Sequence, residues 1–88
     1  MMPDNLIEAN ATVIMNFPGD DDVIIVWTTP KNDPIVLNYA AEEECRFAVA
    51  MNMNWNEVLR DLEENIRNGW IVSKWPAEWG DWKRYAQA

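Results

Sequence analysis

Val23-Ile24-Ile25-Val26-Trp27 is an uninterrupted apolar run held between two clusters of turn formers: Pro18-Gly19-Asp20-Asp21-Asp22 before it, and Pro30, Asn32, Asp33 and Pro34 after it. Side chains along a strand alternate between its two faces, so a segment apolar at both parities needs cover on both sides and belongs in the middle of a sheet. The neighbouring segments supply partners. Residues 10–17 carry Ala11, Val13, Met15 and Phe17 at one parity and Thr12, Ile14 and Asn16 at the other, the alternation of a half-buried strand. Residues 35–39 read Ile35-Val36-Leu37-Asn38-Tyr39. Short connections favour pairing in chain order, which gives a three-stranded antiparallel β-meander with strands over 10–17, 23–28 and 35–39.

Helical signals begin at Ala40. Phe47, Met51, Trp55, Val58 or Leu59, Leu62 and Ile66 recur every three or four residues, an amphipathic stripe that reaches Asn68 either as one helix or as two. A break near Asn52 to Asn54 is the favoured form: Asn54 is a good N-cap, with Glu57 three residues on. Gly69 is a C-terminal stop. Residues 70–75 read as a short extended segment, and Pro76 opens a last helix that sets Trp79 and Trp82 on one face with Ala86, Tyr85 beside them. The expected fold is therefore α+β: the three-stranded antiparallel meander, one long or two shorter helices, and a short Trp-rich C-terminal helix, in a single domain over 1–88.

One assignment of faces has the odd-numbered residues Val13, Met15, Ile25, Trp27 and Leu37 toward the long helix. Ile14, Ile24, Val26 and Val36 would then form an apolar patch on the other side. The C-terminal helix, a second copy of the chain or a partner would have to cover it. Six Trp in 88 residues give so small a chain enough bulky side chains for a core. The C-terminal Trp residues, Trp75, Trp79 and Trp82, are expected to be mainly core, with the chain end a second candidate contact surface.

Composition excludes most chemistry. The chain has no His and one Cys, Cys45, and Ser73 is its only serine. The usual general base near neutral pH is missing, as are the partners that activate serine or cysteine nucleophiles. The three glycines, Gly19, Gly69 and Gly80, cannot make a phosphate-cradling loop. Asp20, Asp21 and Asp22 lack the alternating spacing of a calcium loop. No catalytic residue, cofactor or metal site is expected. No apolar run exceeds five residues, against the roughly 20 that a membrane helix needs, and the N-terminus lacks the basic and apolar regions of a secretory signal. With a lone cysteine, the expected location is the cytoplasm of the producing or of a host cell.

Charge placement is the one functional signal. Residues 1–45 hold nine acids and one base, Lys31, whereas residues 46–88 hold six of each, so the whole net charge of −8 arises in the first half. Direct nucleic-acid binding is disfavoured, because affinity there depends on Lys and Arg neutralising phosphates. A basic protein partner is the natural complement. Asp20, Asp21 and Asp22, the run Glu42, Glu43 and Glu44, and Glu57, Asp61 and Glu64 at i, i+4 and i+7 of a helix are the candidate contact residues. The helical three can imitate a phosphate backbone, although Arg60 and Arg67 are spaced to offset them. The expected function is that of a small acidic binding module occupying a basic, nucleic-acid-binding surface of another protein and inhibiting it, as viral inhibitors and toxin antidotes do. The competing reading is a structural subunit that forms a homodimer or larger assembly through an exposed sheet face.

Overall fold

Two tight turns set the sheet. In the computed structural model, which describes residues 8–20, 22–39, 46–48 and 54–86, the first turn runs from Phe17 to Asp20. The Asp20 N–H donates to the Phe17 carbonyl at 3.2 Å, with Pro18 second and Gly19 third at φ +88°. Glycine reaches that angle without strain. The second turn places Asn32 at φ +67°, closed by Asn32 N–H to the Thr29 carbonyl and Thr29 N–H to the Asp33 carbonyl, both 2.8 Å. A three-residue hairpin loop ending on a left-handed residue has this form, and asparagine tolerates that conformation better than most side chains.

These turns join β1 (Val13–Asn16), β2 (Val23–Thr28) and β3 (Pro34–Tyr39) as the expected antiparallel meander. The sheet does not stop there. β4 (Arg46–Ala48) pairs with β3 and β5 (Ile71–Lys74) pairs with β1, giving an antiparallel order β4-β3-β2-β1-β5 with β2 in the centre. The count of three strands is thus corrected to five among the described residues, of which β4 is only three residues long. Phe47 belongs to β4 and not to a helical stripe: pairing with the open edge of β3 outweighs the local period, as tertiary context does for strands. Met51 lies outside the described residues.

Helix α1 (Trp55–Arg67) begins where Asn52 to Asn54 suggested a break. Asn54 Oδ1 accepts from the Glu57 N–H at 2.9 Å, satisfying one of the free donors of the first turn. At the other end Gly69 N–H donates to the Ile66 carbonyl and Trp70 N–H to the Asn65 carbonyl, both 3.1 Å, with Gly69 at φ +103°. That double closure is the Schellman motif. α1 has 13 residues and so spans about 20 Å, the length of a six-residue strand, which lets it lie along the sheet from the β2–β3 turn to the β1–β2 turn.

The faces differ from expectation. Val13 sits opposite Val26 and Met15 opposite Ile24, so β1 and β2 pair residues of opposite parity. Under α1 lie Val13, Met15, Ile24 and Val26, packed with Val58, Leu62 and Ile66. Ile25, Trp27 and Leu37 lie on the far face with Ala11, all of them buried. The patch expected from Ile14, Ile24, Val26 and Val36 is therefore not a surface: Ile24 and Val26 are core. The length of the Phe17–Asp22 turn shifts the register by one, and a one-residue shift exchanges the faces.

The closing helix is also shorter than expected. Residues Ala77–Trp79 form a 3-10 turn, Gly80 takes φ +85° and ψ −176°, and only Lys83–Ala86 are α-helical, here α2. Gly80 is a breaker and not a tolerated helical glycine, since its angles lie in a region essentially closed to other residues. Trp75, Trp79, Trp82 and Tyr85 pack against the α1 side of the sheet and not on the far face.

Candidate binding surface

No polar or charged side chain is buried among the described residues, so every carboxylate described has access to solvent. In the β1–β2 turn Asp20 is exposed and Asp22 half-buried. The turn holds its own backbone by the Asp20 to Phe17 bond and by Phe17 N–H to the Asp22 carbonyl at 3.2 Å. On α1, Glu57, Asp61 and Glu64 are all exposed, directed away from the buried Val58, Leu62 and Ile66. Arg60 and Arg67 are exposed as well. At 100° per residue they fall to one side of the three acids, so one flank of the outward face of α1 is basic. Asp21, Glu42, Glu43 and Glu44 lie outside the described residues.

Of the described acids, those of the β1–β2 turn and Glu64 of α1 share one end of the sheet. Phe17 and Trp70 meet edge to face, with centroids 5.8 Å apart, and Gly69 lies against Phe17, so the Asp20 turn borders the C-terminal end of α1, where Glu64 sits. Glu57 is at the other end. There Trp55 Nε1 donates to the Asn32 carbonyl at 2.6 Å, next to exposed Asp33. Sequence reasoning passed over Asp33, which reads as a turn residue, and Ile71, whose 46% exposure makes it the exposed large apolar side chain of the described residues. The extended segment read at 70–75 is β5, but Trp70-Ile71-Val72 carries no clear alternation to say which of its side chains stays exposed.

A second aromatic group lies over the N-terminal part of α1. Trp79 stacks edge to face on Trp55 at 5.5 Å and on Trp75 at 5.2 Å, and Trp75 meets Tyr85 at 6.2 Å. All four are half-buried. Arg84 donates to the Tyr85 hydroxyl at 2.7 Å and to the Trp79 carbonyl at 3.1 Å. The bond to Tyr85 raises its pKa further, so this guanidinium is a fixed positive charge. Bonded in this way, Arg84 acts as a brace for the C-terminal turn. Nearby, an open recess of about 270 Å³ is lined by Ala11, Thr12, Lys74, Trp75, Pro76 and Glu78. Two of its polar groups are engaged elsewhere: Lys74 Nζ donates to the Ala9 carbonyl at 3.1 Å, and the Thr12 hydroxyl lies 2.7 Å from that of Thr28.

Among the described residues no three metal-ligating side chains come together, and no helix is long and apolar enough to cross a membrane. No family model, no curated protein and no solved structure matches the chain.

Proposed function

We propose that this chain is a non-catalytic, acidic protein-binding module that occupies a basic, nucleic-acid-binding surface of another cytosolic protein and thereby inhibits it. The observation that carries this reading is the placement of charge. All of the net −8 arises in residues 1–45, and the described carboxylates of the β1–β2 turn and α1 are solvent-facing on a turn and a helix with fixed backbones. A rigid array of one sign raises the rate of encounter with an oppositely charged surface and loses little entropy on docking. Arg60 and Arg67 thin the array on α1, which makes the imitation of a phosphate backbone partial there. Assembly through the Ile24 and Val26 face loses its named surface, since both residues are core.

The test is capture of a basic partner from lysate at low salt, followed by association kinetics. Reversal of Glu57, Asp61 and Glu64 to Lys together, with the fold verified by circular dichroism, should slow association, as should raised salt. A partner indifferent to both removes the acidic reading.

A further inference from the structure

Residues 75–86 are attached to the molecule differently from the elements before them. β5 is held to β1 by strand pairing, and α1 is tied at its first residue by the Trp55 bond to the Asn32 carbonyl. Residues 75–86 make hydrogen bonds only among themselves, within the described residues. Trp79 N–H donates to the Pro76 carbonyl and Gly80 N–H to the Ala77 carbonyl, both at 3.1 Å, and Tyr85 N–H donates to the Trp82 carbonyl at 3.0 Å. Lys83 N–H donates to Asp81 Oδ1 at 2.9 Å, and both Arg84 bonds stay inside the segment.

Ring packing joins this segment to the body. Trp79 meets Trp55 of α1 edge to face at 5.5 Å, and Trp75, Trp82 and Tyr85 pack against the core that α1 shares with the sheet. No residue from Trp75 to Ala86 is fully buried. One polar atom is: Trp75 Nε1 is shut from solvent and has no hydrogen-bond partner among the described residues. A buried donor left unbonded disfavours the closed position, and the bond is regained once the indole meets water. The segment thus combines apolar attachment, no hydrogen bond to the body and a penalty for staying shut.

We propose that residues 75–86 are a flap that lifts from α1 while the sheet and α1 stay folded. Segments with little buried surface and no hydrogen bonds to their neighbours open below the free energy of complete unfolding. The bonds inside the segment let it move as one piece. Lifting parts Trp79 from Trp55 and bares their rings together with that of Trp75, aromatic surface of the kind that dominates contact energy where proteins meet. The flap therefore sets how much of that surface is on display. The proposal does not depend on the acidic-module reading, since the β1–β2 turn and α1 keep their places when the flap moves.

The Trp75 indole N–H is the probe, because it has no bond to protect it and meets solvent only when the segment moves. Hydrogen exchange is followed by NMR on the whole ¹⁵N-labelled chain, each rate divided by that of the free group. The Trp75 indole should be protected, yet on the order of a hundredfold less than the amides of Ile24, Ile25 and Val26. Trp79→Leu should speed the indole about tenfold, the scale of a lost aromatic pair. Ile25→Val, a small change in the core on the far face, should speed the β2 amides about fivefold by weakening the whole fold, and should leave the indole rate unchanged, since the closed and lifted forms lose that contact equally. Equal acceleration of indole and β2 amides by Ile25→Val overturns the proposal, because the segment then opens only with complete unfolding. So do an indole as protected as β2, an indole exchanging at the free rate, and an indole indifferent to Trp79→Leu.

Discussion

Trp55 Nε1 donates to the carbonyl oxygen of Asn32 at 2.6 Å, a bond that ties the first residue of α1 to the turn between β2 and β3 across 23 positions of sequence. It fixes one end of the helix over the sheet, as the packing of Gly69 and Trp70 on Phe17 fixes the other. Trp55→Phe keeps most of the ring's packing and removes the donor. The carbonyl it leaves is near water, so the expected loss is about 1 kcal/mol, read as a lower midpoint in urea with an unchanged slope.

The core beneath α1 predicts a gradient along the helix. Leu62 is 2% exposed and packed with Val13, Met15, Ile24 and Val26, whereas Leu59 is half-buried. Leu62→Ala should cost about 2 to 5 kcal/mol, a large part of the stability of a domain this small. Leu59→Ala should cost clearly less. Urea unfolding of the two variants gives the comparison, and equal costs would mean that the helix is rotated from the position described.

How much of this was legible in the sequence depended on the range of the forces involved. The meander was readable because Pro18-Gly19 and Asn32 impose turns by local chemistry, and Val23 to Trp27 cannot be solvated on either face. The N-cap at Asn54 and the stop at Gly69 were local in the same way. What failed was non-local. The sheet face under α1 depends on a one-residue register across the Phe17–Asp22 turn; the extended segment at 70–75 becomes β5 through pairing with β1, far away in sequence, and β4 pairs with the edge of β3 against its local helical period. The acids of the candidate surface were visible as residues. That the turn carrying Asp20 and Asp22 borders Phe17 and Trp70 was not, because the adjacency is created by the β1–β5 pairing.

Gly80 carries a prediction of its own. At φ +85° and ψ −176° it occupies backbone space nearly reserved for glycine, and a Cβ there would lie 3.1 Å from Arg84 Nη1. Gly80→Ala should therefore cost about 1 to 3 kcal/mol and disturb the Arg84 brace to the Trp79 carbonyl. Gly19, at φ +88°, has no neighbour within 4 Å of such a Cβ, so Gly19→Asn, which tolerates positive φ, should be nearly silent. Thermal melts of the two variants should separate by several degrees.

Tryptophan quenching reports the packing and the charge together. Trp27 is 1% exposed, while Trp55, Trp70, Trp75, Trp79 and Trp82 are all half-buried, so neutral acrylamide should reach five indoles and spare one. Trp27→Phe should accordingly remove mainly the unquenched part of the emission. Ionic quenchers then sense the field around the accessible rings. With a net charge of −8, caesium is concentrated at the surface and iodide depleted, over a range of about 8 Å at physiological ionic strength. At matched ionic strength, caesium scaled to its efficiency on free tryptophan should quench more than iodide, and the gap should narrow as inert salt is added. Trp70→Phe tests the location: if Asp20 and Asp22 make the strongest part of that field, removing the indole beside them should take away a disproportionate share of the caesium advantage. An unchanged advantage would place the dominant negative potential elsewhere on the molecule.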